Sequence, residues 1–218
     1  MLSAAQLVFV DLLHARQALR FGDFTLKSGR KSPYFINTGC FSSGGDLGRL
    51  GGAYADAIRR HFGDDVQVVF GPAYKGIPLA LAAAQAYETL LSRPVGWAYD
   101  RKEAKTHGDG GEFVGAPLTT GTRVVVVDDV LTAGTAMRET LAKLRPLGVN
   151  VVGAVVAVDR QERGQGSLTA LEELRAQEGV AVVPIVTISE AVAHLDAQGC
   201  LASGDAERVR VHVAAAKS

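Results

Sequence analysis

The sequence contains little cysteine and no long apolar run. Cys40 and Cys200 are its only cysteines and lie far apart, which argues against a disulfide scaffold and fits a reducing compartment. No segment approaches about 18 uninterrupted apolar residues, so we expect no membrane span. The apolar N-terminal stretch carries Asp11, His14 and Arg16, and it therefore predicts an amphipathic helix rather than a signal peptide. Together these features predict a soluble, cytoplasmic protein.

The charge balance and the missing motifs exclude further classes of function. Lys+Arg and Asp+Glu are both 23 in 218 residues, so no overall field recruits nucleic acid or an anionic membrane. The sequence has no GxxxxGK[ST] phosphate loop, no GxGxxG after a strand, and no HExxH or CxxC zinc pattern. Any anionic ligand must therefore be bound by local groups of another kind.

Helical and strand patterns alternate along the chain. This order predicts the α/β class, with a central parallel sheet flanked by helices. We expect one domain over residues 1–218, with a small N-terminal hood over about 1–45, a core over about 46–190 and C-terminal helices over about 189–218. The predicted helices are 4–19, one around 47–62, 76–91 and one near 168–177, and the predicted strands are 66–70, 95–99, 124–127, 151–158 and 180–186.

The segment VVVVDDVLTAGTA, residues 124–136, carries the clearest functional pattern. Its β-branched run predicts a strand buried on both faces, with Asp128 and Asp129 at the carboxyl end. Gly134 lets backbone amides approach a ligand, and a helix that starts just afterwards provides an anion site. A sugar phosphate with Mg²⁺ fits this combination. The alternative is a tight turn with a threonine cap and two solvated acids.

Charged residues also follow other predicted strands. Lys75 lies in the turn Gly71–Gly76, and Asp159-Arg160 follows the strand 151–158. Arginine binds carboxylate or phosphate with two parallel hydrogen bonds. In open α/β sheets, ligands bind beyond the carboxyl ends of the strands. Charges at three such ends are hard to assign to chance.

Residues 101–115 have no periodicity and combine cations with glycines. Arg101, Lys102, Lys105 and His107 precede four glycines. The segment is either a solvated surface loop or a mobile lid that closes over a polyanion.

Five segments resemble a known enzyme family. VVVVDDVLTAGTA resembles the phosphoribosyl pyrophosphate (PRPP) motif of type I phosphoribosyltransferases. FTLKSGRKSPYFINTG, GPAYKGIP, RKEAKTHGDGG and DRQERG together resemble the orotate phosphoribosyltransferases, from about residue 20 to about residue 190. The resemblance implies the type I phosphoribosyltransferase fold. It also implies conversion of orotate and PRPP to orotidine 5′-monophosphate and pyrophosphate in UMP biosynthesis, with Mg²⁺ as cofactor.

The resemblance implies roles for individual residues. Asp128 and Asp129 would hold the ribose hydroxyls directly or through water and Mg²⁺, so direct ligation of the metal by protein is not expected. Residues 132–135 would cradle the 5′-phosphate. The implied PRPP-binding residues are Lys27, Tyr74, Lys75, Arg101, Lys102, Lys105, His107, Asp128, Asp129, Val130, Leu131, Thr132, Ala133, Gly134, Thr135 and Ala136. The implied catalytic residues are Lys102, Lys105, His107 and Asp129.

The base site is implied in the same way. Arg160 would pair with the orotate carboxylate, and Thr132 with the backbone of Phe35 and Ile36 would line the pocket. A second aromatic residue often follows Phe35 in this family, whereas Ile36 stands here. If that position contributes only backbone, little changes; if its side chain stacks on the base, orotate affinity differs.

The resemblance further implies a homodimer in which the cations of residues 101–107 close on the pyrophosphate of the neighbouring subunit's site. Two other functions stay open. Another type I phosphoribosyltransferase, for a purine or a different pyrimidine, would not need Arg160 or the SGRKSPYF segment. A PRPP-sensing regulator on the same fold would show a basic face, and the zero net charge counts against it.

Overall fold

A six-stranded sheet lies at the centre of the structure, a computed structural model that describes residues 2–25, 29–103, 111–131, 134–163, 166 and 168–217. Its strands are β3 (Val68–Phe70), β4 (Gly96–Asp100), β5 (Phe113–Gly115), β6 (Arg123–Val130), β7 (Asn150–Asp159) and β8 (Val182–Thr187), in the order β5-β4-β3-β6-β7-β8. All neighbours are parallel except β4 and β5. The prediction of a parallel sheet is therefore wrong at one edge, and the sheet is mixed. The connection between Asp100 and Phe113 is charged and rich in glycine, with no apolar helical period, so its sequence does not provide the crossover helix that usually joins parallel neighbours.

The valine run of β6 is buried on both faces, as predicted. Val125 and Val127 join the core on one side of the sheet, and Val124 and Val126 join the core on the other. All four side chains have no exposed surface. The strand therefore delivers the residues that follow it to a fixed position at the edge of the sheet.

Helices cover both faces. They are α1 (Ala4–Ala15), α2 (Gly44–Phe62), α3 (Gly76–Leu91), α4 (Thr135–Leu144), α5 (Ala170–Glu178), α6 (Ile188–Ala197) and α7 (Asp205–Lys217). α4 and α5 pack on one face of the sheet, and the other helices contribute to the core on the opposite face. Within the described part of the chain, no helix has the length and apolar composition needed to cross a membrane.

An antiparallel hairpin stands apart from the central sheet. Its strands are β1 (Leu19–Thr25) and β2 (Lys31–Ile36), and β2 lies beside α7. Residues of β2 alternate in burial, so Tyr34 and Ile36 are buried while Phe35 between them is partly exposed. The Phe35 ring stacks on Phe24 of β1 on the opposite face of the hairpin.

The predicted helix over residues 4–19 is wrong at its C-terminal end. α1 stops at Ala15, Arg16 caps it, and Gln17 has a left-handed φ of 55°. Ala18 and Leu19 are buried as the chain enters β1. The apolar residues that suggested a longer helix therefore belong to the start of a strand.

The close packing of α2 on α3 depends on Gly51, and this yields a stability prediction. A Cβ at Gly51 would lie 2.4 Å from the backbone oxygen of Ala82, whereas a Cβ at Gly52 would meet nothing within 4 Å. We expect Gly51→Ala to lower the free energy of unfolding by about 1–3 kcal/mol, because the helices must move apart. Its neighbour is the control: Gly52→Ala should raise it by up to about 1 kcal/mol, since alanine favours an exposed helix position. Urea denaturation measures both, and equal effects would contradict the packing argument.

Candidate active site

Two adjacent carboxylates lie at the carboxyl end of β6. Oδ2 of Asp129 accepts hydrogen bonds from Lys75 Nζ at 2.7 Å and from Thr38 Oγ1 at 3.1 Å. Its other oxygen accepts the backbone N–H of Val130 at 2.8 Å. Asp129 therefore connects three segments: the end of β6, the turn after β2 and the loop after β3.

Asp128 is held differently, and its charge is less well compensated. Its Oδ1 accepts the backbone N–H of Asp129 at 2.8 Å, and its carbonyl oxygen accepts the Tyr54 hydroxyl at 2.7 Å. Burial, and then the charge of Asp129, raise the pKa of Asp128 to about 6. A buried carboxyl whose ionisation is disfavoured, beside a second acid, is typical of a functional site.

The N-terminus of α4 faces the same edge of the sheet. Gly134 is the N-cap residue, with a left-handed φ of 76° and no side-chain cap. The first intrahelical bond runs from Arg138 N–H to the Gly134 carbonyl at 3.0 Å. The amides of Thr135 and Ala136 precede this bond, so they can bind an anion.

Residues 71–76, here called the Lys75 loop, form a tight turn between β3 and α3. A Cβ at Gly71 would lie 2.0 Å from the carbonyl oxygen of Gly76, so only glycine lets these two backbones approach. Tyr74 is 72% exposed. The turn thus directs Tyr74 outwards and Lys75 towards Asp129.

A second charged cluster lies at the carboxyl end of β7. Nε and Nη2 of Arg160 donate to Oε1 of Glu162 at 2.9 Å and 2.7 Å. The guanidinium also lies over the ring of Tyr34, with Cζ 4.8 Å from the ring centroid. The Tyr34 hydroxyl is 3.1 Å from the Arg160 carbonyl oxygen and 3.3 Å from Oε1 of Glu162. Burial raises the pKa of Tyr34, so the phenol stays protonated and donates.

Two further basic side chains, Arg30 and His212, lie near Glu162. Nη2 of Arg30 lies 3.3 Å from Oε2 of Glu162, and Nε2 of His212 lies 3.7 Å from Oε1. The His212 ring meets Tyr34 edge-on at 5.9 Å between centroids. The hairpin, the end of β7 and α7 therefore converge on one carboxylate that fixes Arg160.

The two clusters share one edge of the sheet. β6 and β7 are parallel neighbours, with Val130 opposite Val158. Neighbouring strands lie about 4.8 Å apart. Arg160 therefore leaves the sheet beside the acid pair, and an anionic ligand and a polyhydroxylated ligand could be bound next to each other.

Comparison with known proteins assigns this arrangement to a family. Residues 45–181 match the model of the phosphoribosyl transferase domain. The chain is 48% identical to the orotate phosphoribosyltransferase of Nitrosococcus oceani over 86% of its own length and 84% of that protein. It is 49% identical to that of Thioalkalivibrio sulfidiphilus, over 88% and 89%. This chain belongs to the orotate phosphoribosyltransferase family. The crystal structure of the Francisella tularensis orotate phosphoribosyltransferase superposes with a TM-score of 0.81 at 33% identity, covering 96% of this chain and 99% of that one.

Membership of the orotate phosphoribosyltransferase family confirms the resemblance seen in the five segments and the fold class, with the mixed sheet as the correction. These relatives do not support the two alternatives, another base or a PRPP-sensing regulator. The predicted residues Lys27, Lys105, His107, Thr132 and Ala133 lie outside the described residues.

Several predicted site residues can contribute only backbone. The side chain of Leu131 is buried in the core beneath α4, and Ile36 is buried in the core on the other face. Ile36 therefore cannot stack on a base with its side chain.

The predicted site residues Arg101 and Lys102 follow β4. Lys102 is exposed, and the Arg101 N–H donates to the Glu112 carbonyl at 2.7 Å.

Sequence reasoning assigned no role to four residues of these clusters. Thr38 and Tyr34 lie inside a segment that carried the resemblance, and Glu162 follows Arg160 by two positions. Tyr54 lies within the helix predicted around 47–62. A polar group within a quoted motif was the available signal for the first three, whereas the Tyr54 hydroxyl bond joins residues distant in sequence.

The raised pKa of Asp128 predicts how stability changes with pH. Its folded pKa of about 6 exceeds its ordinary value of 3.8, so folding disfavours the charged form. The contribution of Asp128 to stability is therefore greatest below about pH 4 and is lost as pH rises from about 4 to 6. Asp128→Asn keeps the Oδ1 acceptor and removes the charge. We expect it to raise the free energy of unfolding by about 1–3 kcal/mol at pH 8 and by little at pH 4.

Asp129→Asn is the comparison variant: it relieves the same repulsion but also removes the partner of Lys75, so its gain at pH 8 should be smaller than that of Asp128→Asn. Urea denaturation at both pH values measures the effect. A gain from Asp128→Asn that is the same at pH 4 and pH 8 would show that charge burial is not its cause.

Proposed function

We propose that this protein transfers the 5-phosphoribosyl group from PRPP to orotate, giving orotidine 5′-monophosphate and pyrophosphate in de novo UMP biosynthesis. The observation that carries the proposal is the placement of the Asp128–Asp129 pair beside Arg160 at one sheet edge, in a chain of this family. The relatives named above are orotate phosphoribosyltransferases.

PRPP is bound along the edge formed by β6 and β3. Asp128 and Asp129 meet the ribose hydroxyls, and the amides at the start of α4, with Thr132 and Ala133, hold the 5′-phosphate. Lys75 and Tyr74 contact the pyrophosphate side. The 2.7 Å pair of Lys75 with Asp129 supports this, because it keeps a cation next to the ribose site before the ligand arrives.

Orotate is bound through Arg160. Glu162 occupies the edge of the guanidinium formed by Nε and Nη2, and among the described residues Nη1 has no hydrogen-bond partner. A planar guanidinium can bind a second carboxylate at its free end. The buried Ile36 supports a base contact through the backbone of Phe35 and Ile36.

The two acids also fit a divalent cation. Asp128 and Asp129 are adjacent carboxylates, and burial with mutual repulsion raises the pKa of Asp128, so a nearby Mg²⁺ would compensate their charge. They would hold it through water and the hydroxyls of PRPP rather than as direct ligands. When bound, the ion neutralises charge on the leaving pyrophosphate.

Preorganised charges accelerate the reaction by stabilising its transition state. Departure of pyrophosphate leaves positive charge on the ribose ring and negative charge on the leaving group. Asp129 lies beside the ribose, and Lys75 with Lys102, Lys105 and His107 stabilises the leaving group. The ring nitrogen of orotate attacks as an ionised species, so the site needs no strong base.

We further propose a cytoplasmic homodimer that shares its active sites. Arg101, Lys102, Lys105 and His107 would close over the partner subunit's pyrophosphate. Trp97 on β4 is 36% exposed and stacks on Tyr99, and Leu81 on α3 is 39% exposed, so apolar side chains are available for a contact between subunits. The two free cysteines support a reducing compartment.

A base panel tests the function. With PRPP and Mg²⁺, we expect orotate to be consumed, which is measured by its ultraviolet absorbance. We expect no consumption of adenine, hypoxanthine or uracil. Omission of either PRPP or the divalent cation should abolish the change. Turnover of another base with orotate untouched would refute the substrate assignment.

Mixing two defective variants tests the shared site. Arg160→Ala should lose orotate binding, and Lys105→Ala should lose about 10²–10³ in turnover, as for other donors aimed at developing charge. In a mixed dimer with shared sites, one site receives both defects and the other neither. About half of randomly exchanged dimers are mixed, so activity should return to roughly a quarter of wild type.

The control for this mixture is subunit exchange itself, confirmed by mass spectrometry of differently labelled chains. If exchange occurs and no activity returns, each segment 101–111 serves its own subunit and the shared-site proposal is wrong.

A further inference from the structure

Asp100 is a buried carboxylate that the proposed mechanism does not use. It ends β4, immediately before the cationic segment, and is 6% exposed. Its Oδ1 accepts the backbone N–H of Ala73 at 2.8 Å, and its Oδ2 accepts Lys143 Nζ at 2.6 Å. Burying a carboxylate is costly unless it is paired and hydrogen-bonded, and here both oxygens have partners.

The bond to Ala73 fixes the Lys75 loop at its middle. The ends of the loop are held by other bonds: Gly71 N–H donates to the Ala98 carbonyl at 3.0 Å, and Gly76 N–H donates to the Pro72 carbonyl at 2.9 Å. Among the hydrogen bonds of the described residues, Asp100 supplies the only side chain that bonds the backbone of this loop. Ala73 directly precedes Tyr74 and Lys75, so a shift of its amide moves both side chains.

Lys143 connects Asp100 to two further segments. Its Nζ lies 3.5 Å from Oε1 of Glu112, just before β5, while the lysine itself belongs to the last turn of α4. The hydrogen bond that Lys143 donates to Asp100 raises the pKa of Lys143, so this cation stays charged at neutral pH. The pair therefore joins α4, the end of β4 and the Lys75 loop.

We propose that Asp100 and Lys143 are positioning residues for PRPP binding, which hold the Lys75 loop so that Lys75 and Tyr74 face the pyrophosphate. The inference rests on the proposed function. Arg160, the orotate-binding residue, follows β7 and has its own counter-ion in Glu162. The positioning role is therefore confined to PRPP and leaves the base site intact.

The geometry specifies which variants distinguish positioning from simple stabilisation. Asp100→Ala removes the acceptor of the Ala73 amide. Asp100→Asn keeps an oxygen for that amide and loses the charge that pairs with Lys143. Lys143→Met removes the cation and keeps Asp100, and Lys143→Arg restores a cation.

The experiment measures KM for PRPP at saturating orotate, KM for orotate at saturating PRPP, and the affinity for PRPP with Mg²⁺ by calorimetry. We expect Asp100→Ala to raise KM and Kd for PRPP about tenfold, the scale of one lost hydrogen bond to a charged acceptor, with KM for orotate within about twofold. Asp100→Asn and Lys143→Arg should restore most of the affinity, and Lys143→Met should fall between them and Asp100→Ala.

Arg145→Met is the matched control. Arg145 is the C-cap residue of α4 and pairs with Glu178 at 2.7 Å, so its loss removes an ion pair near Lys143 that involves neither Asp100 nor the Lys75 loop. It should leave both KM values unchanged. If Asp100→Ala does not fold, Asp100→Asn and Lys143→Met are compared instead, by the ratio of KM for PRPP to KM for orotate.

The outcomes separate this inference from the proposed function. A wild-type protein that does not turn over orotate defeats the function. A wild type that does, with variants that change both KM values equally or neither, defeats the positioning role and leaves a structural ion pair only.

Discussion

The burial of two like charges at the end of β6 is the constraint on which the surrounding structure depends. Asp128 and Asp129 follow four fully buried valines, so they cannot move away from the sheet. Two neighbouring carboxylates in a partly dry site repel each other, and the raised pKa of Asp128 records that cost. Neighbouring segments offset part of it at Asp129, whose carboxylate accepts hydrogen bonds from Lys75 and Thr38. The Tyr54 hydroxyl fixes the backbone of Asp128 through its carbonyl oxygen.

Charged residues at the ends of other strands obey the same rule. Arg160 after β7 is paired with Glu162, and Asp100 of β4 is paired with Lys143. Each partner comes from a segment beyond the strand that it serves. Because Asp129, Arg160 and Asp100 each have a fixed partner, the proposed ligands would meet oriented groups, and little rearrangement would be needed in the transition state. Pairing the buried charges would thus also organise the proposed site before the substrates bind.

The local sequence pattern predicted an element correctly where one physical signal dominated. The helix 76–91 has the predicted bounds, because apolar and small residues run to its end, and the strand 124–127 follows from unbroken β-branching. The prediction made α1 one turn too long, because the apolar residues Ala18 and Leu19 fit a helix and a strand equally well. β5 was not predicted, because a strand of three residues is too short to show an alternating pattern. Its pairing with β4 depends on its position at the edge of the sheet.

The residues of the candidate site also fall into two groups, those that the sequence predicted and those that it did not. Asp128, Asp129, Lys75 and Arg160 could be identified from motif and family resemblance, since each is a charge at a strand end. Their partners could not, because the contacts are set by packing: Tyr34 reaches Glu162 from a separate hairpin, and Lys143 reaches Asp100 from a different helix. A charged residue on a helix such as Lys143 looks solvated in sequence, and only the fold shows a buried acid within its reach.

The alternation of β2 answers how a chain with Ile36 in place of a second aromatic residue can bind the same base. Tyr34 and Ile36 point inwards, Tyr34 beneath Arg160 and Ile36 into the core, while the Phe35 ring stacks on Phe24 with Arg20 at 5.2 Å from its centroid. Isoleucine is well suited to a buried strand position, because its branched side chain packs against the core. An aromatic side chain at this position would have to occupy the same buried volume, so it too would stand away from the base. The Ile36 side chain therefore belongs to the core, and the proposed contact with the base would have to come from the backbone at this position.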